Sequence, residues 1–109
     1  MNLNVNIQEN NNETVVFLDG EVDVYTASIL KEKLNPLAEG TNQSIVVDLA
    51  KVNYIDSTGL GVFIGVLKAV DKKGSNLKIS GANPRVKRLF EITGLNEVMD
   101  VEEDQRKEV

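Results

Sequence analysis

The sequence predicts an α/β fold with a mixed sheet: an antiparallel N-terminal hairpin followed by strands that alternate with helices. Three observations carry this. The first residues alternate apolar and polar with period two. Short apolar runs at Ile45–Leu49 and Leu77–Ser80 are separated by stretches of three- and four-residue apolar periodicity. Asn83-Pro84 is a helix-start signal, a capping side chain followed by Pro at the first helical position.

Taken in order, Leu3, Val5 and Ile7 face one way and Asn2, Asn4, Asn6 and Gln8 the other, which reads as a half-exposed strand. Glu9–Glu13 is a polar turn, and Thr14–Leu18 is a second, β-branched strand that completes the hairpin. Asp19-Gly20-Glu21-Val22-Asp23 then reads as an acidic loop. Thr26 is an N-cap candidate for a helix whose apolar face is Ala27, Leu30, Leu34, Leu37 and Ala38. Pro36 should kink or divide that helix, and Gly40 should stop it. Ile45–Leu49 is a buried parallel strand, and Val52–Ile55 a turn. A long helix starts at Asp56-Ser57-Thr58-Gly59 and ends at Gly74. After the strand Leu77–Ser80 comes a turn at Gly81-Ala82. The helix from Asn83-Pro84 buries Val86, Leu89 and Phe90 and ends at Gly94. Val98–Val101 is a last strand candidate, and about 102–109 a charged tail. With 109 residues and no repeat or linker, a single domain is expected.

Composition narrows the function. The chain has neither cysteine nor histidine, which removes disulfides, the commonest zinc ligands, the commonest general base and the thiol nucleophile. A non-enzyme is therefore expected, with no cofactor and no metal. Net charge is −5, which disfavours nucleic acid and anionic lipid. Basic spots at Lys72-Lys73 and at Arg85, Lys87 and Arg88 read as solvated faces. No signal peptide or membrane span is evident, so a soluble cytoplasmic protein is expected.

Functional sites in open α/β sheets gather beyond the carboxyl ends of the strands. Two segments meet that description: Asp19–Asp23, and the stretch from Asp48 through Asp56-Ser57-Thr58-Gly59. Ser57 stands at the start of a strongly apolar helix, where the first backbone N–H groups lack helical partners. Either Ser57 or Asp56 is a plain N-cap, or a phosphate on Ser57 would face those N–H groups and the positive end of the helix dipole. Gly59, Gly61 and Gly65 each cost about 1 kcal/mol against Ala in a helix interior, so close packing on the sheet or an accessible backbone for a partner is expected. Glu21 and Asp23 with Asp48 or Asp56 could form a weak Mg²⁺ site, or be solvated acids. A response-regulator receiver with Asp48 or Asp56 as acceptor is a rival reading. A phosphoserine survives acid and an acyl phosphate does not.

At Asp56-Ser57-Thr58-Gly59-Leu60-Gly61-Val62-Phe63 the sequence resembles the anti-sigma factor antagonists of the STAS-domain family. Gly20-Glu21-Val22-Asp23-Val24-Tyr25-Thr26-Ala27 and Arg88-Leu89-Phe90-Glu91-Ile92-Thr93-Gly94-Leu95 match two further signatures, and the branch resembled is that of the general stress sigma factor. The resemblance implies a STAS-type fold with a four- to five-stranded sheet and about four helices. It implies partner switching without catalysis. The unphosphorylated chain binds an anti-sigma factor, which is also a serine kinase, and releases the sigma factor. Phosphorylation of Ser57 ends that binding, and a PP2C-type phosphatase restores it. Thr58 is a weaker second acceptor. The partner surface implied comprises Asp23, Asp56, Ser57, Thr58, Gly59, Leu60 and Gly61. Asp23 should border that surface because both segments leave the carboxyl ends of neighbouring strands, so Asp23→Ala or Asp23→Lys should impair binding or phosphorylation and leave stability nearly unchanged. A spore-development-type antagonist and an unmodified STAS scaffold are the alternatives.

Overall fold

The computed structural model describes residues 2–11 and 13–103. Its elements are β1 (Leu3–Asn10), β2 (Glu13–Val22), α1 (Ala27–Ala38), β3 (Ser44–Ile55), α2 (Ser57–Lys72), β4 (Asn76–Ala82), α3 (Pro84–Ile92), a 3₁₀ turn (Leu95–Glu97) and β5 (Asp100–Glu103). The five strands form one sheet in the order β1-β2-β3-β4-β5. β1 and β2 are antiparallel, and every later pairing is parallel. This sequential order rules out the receiver-like sheet, whose doubly wound topology needs a reversal of strand order.

Alternation explains how the core forms. Val16 and Leu18 of β2, Ile45, Val47 and Leu49 of β3, and Leu77 and Ile79 of β4 are buried, while Val15, Phe17, Val46, Asp48, Lys78 and Ser80 between them are not. The buried set packs with Leu30 and Leu34 of α1, Leu60, Phe63, Val66 and Val70 of α2, and Val86 and Phe90 of α3 in one core. Phe63 and Phe90 meet edge to face, with ring centroids 6.0 Å apart at 62°. Among the described residues no helix packs on the other sheet face.

The strands run further than alternation alone predicts. Asp19–Val22 is not a loop, and Val52–Ile55 is not a turn: Asp19↔Lys51, Gly20↔Val52, Glu21↔Tyr54 and Val22↔Ile55 are paired. Two register shifts bring this about. Each places an extra residue on β3, which disrupts the two-residue period that marks a strand. Gly81-Ala82 likewise belongs to β4, and Glu9, Asn10 and Glu13 of the expected turn are strand residues. Asn11, at φ 47°, turns the hairpin, and residue 12 lies outside the described residues.

Helix ends follow local chemistry more closely. Asn83 Oδ1 accepts from the Val86 N–H at 2.8 Å, with Pro84 first in the helix. Gly94 takes φ 78° just past α3, the left-handed conformation in which glycine carries no Cβ penalty. Pro36 does not divide α1, because only Leu37 and Ala38 follow it before the helix ends. There are accordingly three α-helices and one 3₁₀ turn among the described residues. The last strand is shifted to Asp100–Glu103, so Glu102 and Glu103 of the expected tail lie in the sheet, and 104–109 lie outside the described residues. A Lys78 Nζ–Glu102 Oε2 ion pair of 2.9 Å joins β4 to β5. The hydrogen bond and charge of Glu102 push the Lys78 ammonium up from its ordinary value. No helix among the described residues is long and apolar enough to cross a membrane.

Candidate functional site

The carboxyl ends of β2 and β3 are neighbours, so Asp23 and Asp56, the residues that leave them, stand side by side. The Asp56 N–H donates to the Val22 carbonyl at 3.1 Å, which ties the start of α2 to the end of β2. Asp56 is the N-cap: its backbone is extended and its Oδ1 accepts from the Gly59 N–H at 3.0 Å. Ser57 is therefore the first helical residue and not the cap. It is exposed, and its hydroxyl makes no hydrogen bond among the described residues. The N–H groups of Ser57 and Thr58 have no carbonyl to reach within the helix. An exposed hydroxyl, two free donors and the positive helix end together form a place where an added phosphate meets favourable charge without unfolding anything.

Gly59 and the two later glycines have different reasons for being there. A Cβ on Gly59 would lie 2.5 Å from Val22 Cγ1, 2.8 Å from the Val22 carbonyl oxygen and 3.2 Å from Ile55 Cγ2. The first turn of α2 rests directly on the sheet, and only glycine fits. Leu60, the next residue, is buried in the core. Gly61 and Gly65, in contrast, meet nothing within 4 Å. Packing does not explain them. They line an open groove between α1 and α2, together with Val24, Lys31, Thr58 and Val62. Gly65→Ala should raise unfolding stability by about 0.5–1 kcal/mol, through helix propensity and a less flexible unfolded chain. Urea denaturation checks this, and a loss of stability would reveal an unseen packing constraint.

Asp23 departs from expectation. It is 3 % exposed. Its Oδ1 accepts from the N–H groups of Tyr25 at 2.9 Å and Thr26 at 3.0 Å, and from the Thr26 hydroxyl at 3.3 Å. The Thr26 hydroxyl donates to the Glu21 carbonyl at 2.7 Å and accepts from the Asp23 N–H at 2.9 Å. Thr26 thus stands at the N-cap position of α1 without capping it, because its hydroxyl is spent closing this loop. Asp23 Oδ2 is buried with no hydrogen-bond partner among the described residues, an unusual state for a carboxylate oxygen. Asp23 is a buried staple of the loop, so a cost in stability is expected on its replacement where the sequence suggested almost none. Asp23→Ala should cost about 1–2 kcal/mol in thermal or urea unfolding, in the range of a lost cap. Asp23→Asn, which keeps one acceptor oxygen, should cost less. Equal stability of Asp23→Ala and the parent would contradict the staple.

What the staple presents is apolar. Val24 is 60 % exposed and Tyr25 75 %, and across the sheet end Tyr54 is 50 % exposed. Both tyrosines of the chain lie at this end of the sheet. Sequence reasoning placed Val24 and Tyr25 in a family signature and Tyr54 in a turn, and counted none of them in the site. The available signal was two large aromatic residues flanking the acidic rim, with Asp23 and Thr26 at a spacing that suits mutual hydrogen bonding. Asp48 is not on the rim. It lies within β3, opposite Phe17 and Ser80, and accepts from the Ala50 N–H at 2.8 Å in the bulged stretch. Glu21 is a half-buried strand residue. Among the described residues no three acidic side chains converge on a point that could hold a metal ion.

Comparison with known proteins accords with this architecture. The STAS domain family model matches residues 4–107. The anti-sigma-B factor antagonist of Bacillus subtilis (strain 168) is 48 % identical over 101 residues, covering 93 % of this chain and 92 % of its own. A solved anti-sigma factor antagonist from Mycobacterium paratuberculosis superimposes with TM-score 0.83 at 21 % identity, covering 93 % of this chain and 86 % of that one. The anti-sigma factor antagonist SpoIIAA in its unphosphorylated form gives 0.76 at 19 % identity, over 90 % and 87 % of the two chains. Its phosphorylated form gives 0.69 at 16 %, over 90 % of each. With nearly its whole length matched by the family model and close to half its residues shared with a full-length relative, the chain belongs to the STAS domain family.

Proposed function

We infer that this protein is a non-catalytic anti-sigma factor antagonist of the general stress branch, switched by phosphorylation of Ser57. The observation that carries the reading is the division of labour at the head of α2. Asp56 does the capping, which leaves the Ser57 hydroxyl exposed and without a structural role. The unphosphorylated chain binds an anti-sigma factor that is also its serine kinase, and so frees the sigma factor. A PP2C-type phosphatase resets the modified chain. Ser57, Thr58 and Gly61 form the contact surface with the Val24, Tyr25 and Tyr54 side chains. Asp23, Asp56, Gly59 and Leu60 hold that surface in place from beneath. The protein acts in the cytoplasm, as one domain, without cofactor or metal.

The physics of the switch is local. A phosphate adds about −1.5 to −2 charges. It does so beside Asp56, on a chain of net charge −5, at a surface that must lose water when a partner binds. The test is intact-mass measurement and peptide mapping after incubation with ATP and the cell's anti-sigma serine kinase. One added phosphate on Ser57, with loss of the complex on a sizing column, is expected. Absence of phosphate on Ser57, or a phosphate that leaves the complex intact, would reduce Ser57 to an ordinary surface residue and favour an unmodified STAS scaffold.

A further inference from the structure

The two edges of the sheet are built differently. β5 is four residues long and reads Asp-Val-Glu-Glu, with Glu102 tied to Lys78. Short length and repeated charge are the usual guards against edge-to-edge pairing. β1 has neither. It runs for eight residues, and from Leu3 to Gln8 it carries no charged side chain, no Pro and no Gly. Its pairing with β2 is continuous from Leu3↔Gly20 to Asn10↔Glu13, so no bulge twists it away. On a chain with 17 acidic residues, an uncharged, unguarded edge is the exception.

The direction of the free backbone groups follows from the ladder. The Glu21 N–H donates to the Asn2 carbonyl at 3.0 Å. In an antiparallel pair, hydrogen-bonded positions alternate along the strand. Asn2, Asn4, Asn6 and Gln8 therefore spend their backbone groups on β2. The N–H and C=O groups of Leu3, Val5 and Ile7 point outward, and among the described residues no strand lies beyond them.

We propose that this edge pairs with the β1 edge of a second copy of the chain, antiparallel, about a two-fold axis at Val5. A second copy is the occupant because the edge is complementary to itself. With Val5 opposite Val5, Leu3 falls opposite Ile7, so outward-pointing backbone groups meet their counterparts. Asn4 falls opposite Asn6 and Asn2 opposite Gln8, at the closely spaced positions where side-chain amides can bond across the seam. Apolar residues face apolar ones, and Glu9 stays outside the paired stretch, so no like charges are opposed. The sheet then continues unbroken through both copies. Because β2 and β3 run in opposite directions in the two copies, the two Ser57 rims point away from each other, and both stay open. Pairing along one strand edge is a small interface, so association is weak and depends on concentration.

The test is weight-average mass of the full chain by sedimentation equilibrium, from micromolar to millimolar. A rise from monomer toward dimer and no further is expected. The double variant Asn4→Asp/Asn6→Asp alters only exposed side chains of the open sheet face, and sets like charges opposite each other across the seam. It should stay monomeric and folded, with its unfolding midpoint lowered only by the carboxylate that position 4 sets opposite Asp19 of its own hairpin. Mixed in equal amounts with Asn4→Lys/Asn6→Lys, it should dimerise again. A parent chain that stays monomeric throughout, or a dimer indifferent to the Asp pair, would overturn the proposal. None of this depends on Ser57, so a failed phosphorylation experiment leaves it standing.

Discussion

Ser57→Glu is expected to bind the anti-sigma kinase about 150-fold more weakly than Ser57→Ala, a difference of about 3 kcal/mol. The argument is one of charge and water. The hydroxyl stands at the exposed head of α2, next to Asp56 in the chain, at the same end of the sheet as the exposed Val24, Tyr25 and Tyr54 side chains. A partner that covers this rim must strip water from whatever residue 57 carries. Alanine asks for almost nothing, so the Ala variant should stay bound constitutively. A carboxylate next to Asp56 suffers both repulsion and desolvation. The fold should not change, since an acidic residue in the first turn is favourable to the helix dipole. The measurement is a binding titration of both variants, with an unfolding curve for each. Equal affinities would sink the switch, whereas a loss of stability in Ser57→Glu would show that the effect is not confined to the surface.

Gly59→Ala should lower unfolding stability by about 2–3 kcal/mol, the upper part of the range for overpacking a filled core. For a chain of this size that is a fall in Tm of roughly 8–20 °C. One neighbour of the new methyl group is the Val22 side chain, which could give way. Another is the Val22 carbonyl oxygen, at 2.8 Å, which belongs to the central sheet and cannot. The first turn of α2 must lift, and the Asp56 N–H to Val22 carbonyl bond must lengthen or break. Ser57 would be displaced with it, so partner binding should weaken as well. Urea denaturation decides the matter, and a change below about 0.5 kcal/mol would mean the turn has slack that the close contact denies. The same substitution six residues later, at Gly65, should act in the opposite direction.

The contrast between these two glycines marks where sequence reading runs out. Along the chain they are equivalent: glycines in one apolar helix, each costly to helix propensity. What separates them is whether another part of the chain lies against them, and that depends on strand register. The register itself is hidden locally, because two extra residues on β3 disturb the period between Asp48 and Tyr54. For the same reason Val52–Ile55 and Asp19–Val22 pass for loops. Asp23 is a further case. A carboxylate in an acidic stretch reads as solvated, and its burial follows only once β2 is long enough to carry it to the rim and fold Tyr25 and Thr26 around it.

By itself the sequence determined whatever depends on near neighbours. Period two set β1 and β2, three- and four-residue spacing set the helices, Asn83-Pro84 and Gly94 bounded α3, and the ordered motifs around Asp23, Ser57 and Arg88 pointed to the family. These signals are legible because capping, alternation and turn chemistry act within a few residues. The tertiary structure alone decided which of Asp56 and Ser57 caps α2, which glycine is packed and which are bare, that Asp23 lies beneath the surface, and which aromatic side chains crown the rim. Those outcomes depend on how distant strands align, and alignment is settled by the burial of the whole core rather than by any one stretch of chain.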